Sequence, residues 1–156
     1  MTEALTHLNH KGEAHIVDVG DKPATARRAV ARATLEARPT TVAAIAGGGL
    51  KKGDALAVAR IAGIMAAKKT SELIPLCHPI ALDRVEVAIS AEAGTITILA
   101  TAETHDRTGV EMEAMTAASV AALTLYDMAK GIDRAMRVSA VELMEKSGGK
   151  SGDFKR

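Results

Sequence analysis

Val85, Val87 and Ile89 alternate with Glu86, Ala88 and Ser90, and beyond Gly94 the residues Ile96 and Ile98 alternate with Thr95 and Thr97. A period of two marks half-buried strands, so residues 82–105 predict a β-hairpin that turns at Gly94. H-I-V-D-V at 15–19 and the stretch 138–145 read as two further strands. Elsewhere the apolar positions do not alternate, and helices are expected. Asp21 and Pro23 open one over 24–37, which stops ahead of Pro39 because a residue before proline avoids helical backbone. Residues 41–46 add a helical turn or two before the break at Gly47-Gly48-Gly49. A second helix is expected over 54–69, with Asp54 as N-cap and Lys68 and Lys69 at its negative end. Pro75 and Pro79 exclude regular helix from 73–80. Thr108-Gly109 opens the longest helix, which runs to about residue 130 and ends at Gly131.

The order strand, helices, strand, strand, helix, strand predicts an α+β fold of the ferredoxin-like β-α-β-β-α-β plait. An antiparallel sheet would carry helices packed on one face, with an extra helix in the first crossover. One domain spans 1–156, with a polar arm at 1–14 and a glycine-rich basic tail at 146–156.

Composition sharpens this picture. Of the 156 residues 31 are Ala, and Tyr126 and Phe154 are the whole aromatic content. Small side chains must therefore fill the interior. A nucleic-acid binder that stacks bases is excluded for want of aromatic faces, and a net charge of +1 attracts neither nucleic acid nor anionic membrane. Cys77 is the single cysteine, so no disulfide forms within the chain. The start at Met1-Thr2-Glu3 lacks a basic region followed by a long apolar run, and Glu111, Glu113, Asp127 and Lys130 interrupt the most apolar stretch. The expectation is a cytoplasmic protein without leader or membrane span.

Three places could carry chemistry. On the longest helix, Asp127 and Lys130 share a face, and Glu113 lies 14 residues earlier, within about 40° of it. The rise between Glu113 and Asp127 is about 21 Å, too far for one small substrate to touch both in one chain. A site using both would combine two subunits; the same pattern also fits a solvated stripe with a surface ion pair. Cys77-His78, stiffened by Pro75 and Pro79, could present an acid, a base or a phosphate ligand, or simply pack on the surface. No partner pair has zinc-type spacing, so no metal is expected. Gly47-Gly48-Gly49-Leu50-Lys51-Lys52-Gly53-Asp54 offers amides and ammonium groups that suit an anion, or a plain surface turn. Gly149-Lys150-Ser151 imitates the end of a P-loop, but Met144 stands where its first glycine belongs. Arg27 and Arg28 would sit on the first helix. The set points to a small phosphorylated substrate handled by acid–base chemistry without a metal or organic cofactor.

L-I-P-L-C-H-P at 73–79, G-V-E-M-E-A-M-T-A at 109–117, A-L-T-L-Y-D-M-A-K at 122–130 and K-S-G-G-K-S-G at 146–152 resemble the cyclic pyranopterin monophosphate synthase family of molybdenum-cofactor biosynthesis. T-H-L-N at 6–9, G-E-A-H-I-V-D-V at 12–19 and K-G-D at 52–54 extend the likeness over nearly the whole chain. The resemblance implies a lyase that converts 3′,8-cyclo-7,8-dihydroguanosine 5′-triphosphate, made by a radical GTP cyclase, into cyclic pyranopterin monophosphate. That step opens the former imidazole ring, builds the pterin, closes a cyclic phosphate and releases pyrophosphate. It further implies a ferredoxin-like homohexamer, a trimer of dimers with sites at the dimer interface.

The family's catalytic positions fall on Asp127, Lys130 and Lys52, and its substrate-binding positions on Leu76, Cys77, His78, Met112 and Glu113. Arg27 matches a phosphate-binding arginine in more variable surroundings. Asp127 would move protons, tuned by Lys130, while Lys52 with His78 would act as acid or base. Lys146 and Lys150 would close over the triphosphate. No resident cofactor is implied; Mg2+ with the triphosphate stays open. Without aromatics, the purine-derived ligand would rely on phosphate contacts, hydrogen bonds from Glu113 and the 76–78 backbone, and aliphatic contact from Met112. The other readings are a non-catalytic nucleotide- or anion-binding oligomeric module of the same fold, and a purely structural oligomer.

Overall fold

In a computed structural model that describes residues 6–156, five strands form one antiparallel sheet in the order β2-β3-β1-β4-β5. They are β1 (Thr25–Glu36), β2 (Arg84–Glu92), β3 (Thr95–Asp106), β4 (Arg137–Ser147) and β5 (Phe154–Lys155). The helices are α1 (Pro39–Ala46), α2 (Ala55–Lys68), the single turn α3 (Thr70–Leu73) and α4 (Glu111–Ala129). Without β5, the strand order 2-3-1-4 is that of the ferredoxin-like plait, with α1 to α3 in its first crossover. The hairpin, the helix capped by Asp54, the longest helix and the strand over 138–145 all stand where the sequence places them. Of the arm expected at 1–14, the first five residues lie outside the described ones.

Two expectations fail together. The stretch 24–37 is not a helix but the central strand β1, and 15–19 is not a strand and joins no ladder. Arg27 and Arg28 therefore sit on β1 rather than on a helix. Alanine favours helix by local propensity, but tertiary packing overrides so weak a bias. In β1, Ala29, Ala31, Ala33 and Leu35 are fully buried on one face, while Arg28 and Arg32 lie on the other. The strand is paired on both edges, from Thr25↔Asp106 to Glu36↔Thr95 on β3 and from Arg28↔Ser147 to Glu36↔Arg137 on β4. Those two ladders satisfy its backbone while its alanine face is buried, so both needs are met by a central strand.

The core is an alanine contact between layers. Ala114, Ala117, Ala118, Ala121 and Ala122 of α4 are fully buried, as are Ala29, Ala31, Ala33, Ala100 and Ala102 of the sheet. Methyl groups on both sides let helix and sheet approach closely, and Leu35, Ile45, Ile96, Ile98 and Leu125 fill the periphery. Helix α2 packs as closely on α4. A Cβ on Gly63 would meet the Ala117 carbonyl oxygen at 2.9 Å, Val87 Cγ2 at 3.1 Å and Ala121 Cβ at 3.3 Å.

The far face of the sheet carries charge. Arg28 lies opposite Glu103 and reaches Glu145 at 3.1 Å, and Arg32 faces Glu142 at 2.7 Å. Cross-strand pairs of this kind suit a face turned away from the helices. Asp133, just past α4, is buried and accepts from the Thr41 hydroxyl at 3.0 Å and the Arg38 amide at 3.1 Å, pinning α1 to the turn after α4.

The tightness at Gly63 is testable. Gly63→Val should destabilise the protein by about 2 kcal/mol, the usual cost of overpacking a close interface. Urea unfolding of the two proteins checks it; equal midpoints would mean that α2 and α4 can separate without cost.

Candidate functional site

A cavity of about 290 Å3 opens where three segments meet: the stretch around Val17, the proline loop at 74–80, and the first turn of α4. Leu76, Cys77, His78, Met112 and Glu113 all line it. The loop holds its shape through Pro75 and Pro79 and through the Cys77 amide, which donates to the Ile74 carbonyl at 3.1 Å. His78 Nε2 lies 2.7 Å from the Val17 carbonyl oxygen. A carbonyl only accepts, so Nε2 carries the hydrogen and Nδ1 remains the ring's second nitrogen. Val17 and Val19 turn to the cavity while Ile16 is exposed, so the period of two read at 15–19 describes a cavity wall without strand partners.

Glu113 is 4% exposed although it sits in the first turn of α4. Burial pushes its carboxyl up to about 7, against the bond from its own amide, and the nearby Glu111 carboxylate pushes the same way. A carboxylic acid close to neutral pH can both donate and accept a proton. The Cys77 thiol is also pushed up, first by burial and then by the charge of Glu113, which leaves it a poor nucleophile.

Next to this cavity lies a cleft of about 270 Å3 lined by Lys22, Arg27, Arg107, Lys150 and Ser151. The two share Lys22, Thr108, Gly109 and Glu111, so they are continuous. Arg27 Nη2 donates to the Arg107 carbonyl at 3.4 Å. The cations gathered here give the cleft the character of an anion site.

The second carboxylate belongs to a different cluster, near the other end of α4. Lys130 Nζ donates to Asp127 Oδ1 at 2.6 Å, and Lys52 Nζ donates to Oδ2 at 3.2 Å and to the Asp127 carbonyl at 2.9 Å. Hydrogen bonds from Lys130 and then Lys52 hold the Asp127 carboxyl below the usual range. The cluster is open to solvent: the side chains of Lys52, Asp127 and Lys130 are all about half exposed. Asp127 thus stays charged where Glu113 is pushed toward neutrality.

The fold brings the sequence-predicted residues together in two groups. Leu76, Cys77, His78, Met112 and Glu113 share one cavity with Arg27 in the adjoining cleft; Asp127, Lys130 and Lys52 form the other group. In the glycine turn at 47–54, the amides of Gly47, Gly49 and Gly53 bond to nearby carbonyls and Lys52 turns to Asp127. Gly47 closes α1 by donating to the Ala43 carbonyl, and the Asp54 carboxylate takes the Ala57 amide at 3.0 Å. Lys22 and Arg107 escaped the sequence reading, because each sits in no motif and 80 or more residues separate them; only their place on two loop ends unites them. Among the described residues no three His, Cys, Asp or Glu side chains are placed to hold a metal ion.

Comparison with known proteins gives the chain its relatives. The profile of the MoaC family matches residues 16–149. A protein of Parvibaculum lavamentivorans named cyclic pyranopterin monophosphate synthase is 56% identical over 153 residues, covering 97% of this chain and 96% of its own. Proteins of Mycobacterium bovis and Mycobacterium tuberculosis, both named cyclic pyranopterin monophosphate synthase 1, are 55% identical over 154 residues, covering 98% of this chain and 91% of theirs. A profile match across most of the domain, with relatives that align almost end to end, places this chain in the MoaC family.

Proposed function

We propose that this chain is a cyclic pyranopterin monophosphate synthase of molybdenum-cofactor biosynthesis. It is a lyase that converts 3′,8-cyclo-7,8-dihydroguanosine 5′-triphosphate, the product of a radical GTP cyclase, into cyclic pyranopterin monophosphate and pyrophosphate. The observation that carries this reading is the shared name of relatives 55–56% identical over 97–98% of the chain. The two clusters and the cleft give it chemistry.

The purine-derived rings fit the cavity of Leu76, Cys77, Met112 and Glu113, where aliphatic contact replaces stacking. Glu113, neutral below about 7, offers an O–H to a ring nitrogen or carbonyl. Lys22, Arg27, Arg107 and Lys150 would take the triphosphate and hold the charge that grows on departing pyrophosphate. Asp127, kept anionic between Lys52 and Lys130, has a proton acceptor's charge with two proton donors beside it. These roles need no resident cofactor, and any Mg2+ would arrive with the triphosphate.

Glu113 and Asp127 are separated by about 21 Å of helix, so both act on one substrate only across a subunit boundary. Assembly is supported by an exposed apolar face: Val58, Ile61 and Met65 on α2, with Leu123 on α4, are 42–60% exposed. The reading is a homohexamer built from dimers, each site pairing one protomer's Glu113 with the partner's lysine–aspartate cluster. No described helix is long and apolar enough to cross a membrane; the reading places the enzyme in the cytoplasm.

Three outcomes are expected. Asp127→Asn and Lys52→Ala, each incubated with the cyclised triphosphate, should form product at least about a hundredfold more slowly, the scale of a lost acid–base group. Near-wild-type rates in both would refute the assignment in favour of a binding module. Glu113→Gln and Asp127→Asn proteins, each inactive alone, should regain about a quarter of wild-type activity when their subunits are exchanged. Half of randomly mixed dimers then hold one intact site of two; no recovery would place both groups in one chain's site.

The third outcome concerns pH. A folded-state value raised to about 7 means that the folded protein prefers protonated Glu113. That preference stabilises below the unfolded value and is lost as pH rises through the folded one. Between pH 4 and pH 8, Glu113→Gln should therefore gain about 3 kcal/mol on wild type. Urea midpoints at both pH values measure it, and a constant difference would show that Glu113 is solvated.

A further inference from the structure

We propose that Asp133, which lines neither the cavity nor the basic cleft, positions Lys52 against Asp127 by gripping the start of α1. The role rests on the synthase reading, which gives Lys52 and Asp127 their chemistry, and it falls to a residue outside every candidate group.

Helix α1 has no cap of its own. Its N-cap residue, Arg38, offers no side-chain bond to the first turn, and Pro39 follows without an amide hydrogen. Asp133 supplies the cap from a distant part of the chain. Its Oδ2 accepts from the Arg38 amide at 3.1 Å and the Thr41 hydroxyl at 3.0 Å, and pairs with Arg38 Nε at 3.3 Å. Arg38 Nη2 also donates to the Ile132 carbonyl. The Arg38 amide, then the Thr41 hydroxyl and the Arg38 guanidinium, hold the Asp133 carboxyl below the usual range against the effect of burial. It therefore stays charged at the positive end of α1.

Asp133 is itself fixed to α4. Its amide donates to the Ala129 carbonyl at 3.1 Å, and the Lys130 amide donates to the Tyr126 carbonyl at 2.8 Å. The Tyr126 hydroxyl donates to the Arg134 carbonyl at 3.1 Å, and the Ala135 amide closes on Asp133 Oδ1 at 3.2 Å. The turn is thus a bonded extension of the helix that carries Asp127 and Lys130.

The far end of the segment returns to the same place. Between α1 and α2 the chain is short and closed on itself. The Gly49 amide donates to the Ala44 carbonyl at 3.0 Å, the Gly53 amide donates to the Leu50 carbonyl at 3.1 Å, and Leu50 packs against the core. Lys52 then reaches back to the carbonyl and carboxylate of Asp127. Residues 38–52 form a span that the end of α4 grips twice, at Asp133 and at Asp127. The Lys52 side chain is half exposed and has many rotamers, so its ammonium keeps this one position only while the backbone beneath it is held. Asp133 fixes where the span begins. A shift of α1 there passes through a turn with little slack to the Lys52 ammonium, and small displacements of a reacting group cost rate steeply.

The test treats the full-length protein with a small amine-acetylating reagent and reads each lysine by peptide mass spectrometry, alongside turnover of the cyclised triphosphate. Asp133→Ala should speed acetylation of Lys52 at least about threefold, the scale of one lost hydrogen bond. Lys51, its exposed neighbour on the same turn, should not change. Turnover should fall about tenfold with KM within about twofold, since the lysine is misplaced and the cavity is intact. Added to Lys52→Ala, the same substitution should cost less than about twofold more, because nothing is left to position. Should Asp133→Ala not fold, Thr41→Val removes one of its donors without adding bulk and should move both readouts the same way by less. Lys52 acetylation that does not outpace Lys51 in whichever variant folds overturns the positioning role, as do turnover losses that multiply in the double variant. Wild-type protein that forms no product overturns the synthase reading, while the contrast between Lys52 and Lys51 still reports the grip.

Discussion

The close contact of methyl groups between α4 and the sheet governs the rest of the structure. Ten alanines, five on each side, let the helix lie nearer the strands than leucine or phenylalanine would allow. Gly63 extends the same tightness to α2. Small side chains bury little apolar area each, so a core of this kind gains from precise contact more than from bulk. The consequence is a rigid α4 whose two ends are fixed against different loops: the Cys77-His78 loop and the tail at one end, the Lys52 loop at the other.

That rigidity separates two carboxylates into different dielectric surroundings. Glu113 enters the layer between helix and proline loop, where loss of water favours its neutral form. Asp127 projects into solvent beside two ammonium groups, which favour its charged form. One helix thus carries a group pushed toward neutrality and a group held ionised, because burial and ion pairing act on carboxyls in opposite directions. The spacing along α4 keeps the two carboxyls about 21 Å apart within one chain.

Much of the fold was legible because it rests on local signals. The alternation around Gly94, the Asp54 cap and the glycine after α4 each act within a few residues, and each element appears where expected. The helix expected over 24–37 failed because alanine at 29, 31 and 33 reads as helix former and as close-packed strand alike. Alternation with arginine at 28 and 32 was the signal for strand, and the ladders from β3 and β4 decided between the two. Likewise, Val17 and Val19 alternate with exposed neighbours because a cavity wall and a half-buried strand ask the same of side chains. Lys22 and Arg107 carry no local signal, since a basic cleft is assembled from loop ends far apart in the chain.

From sequence alone came the α+β class and the long central helix, which depend on residue type and on spacing along one element, while the nine candidate residues came with the resemblance of whole motifs to a known family. Tertiary structure decided which of those residues meet. It buried Glu113 beside a cavity where His78 is bound to the Val17 carbonyl, left Asp127 between Lys52 and Lys130 in solvent, and laid Gly149 on Arg27. Burial, and the proximity of charges distant in sequence, are properties of the packed chain. The protonation state of each carboxyl follows from them, and residue type alone does not specify it.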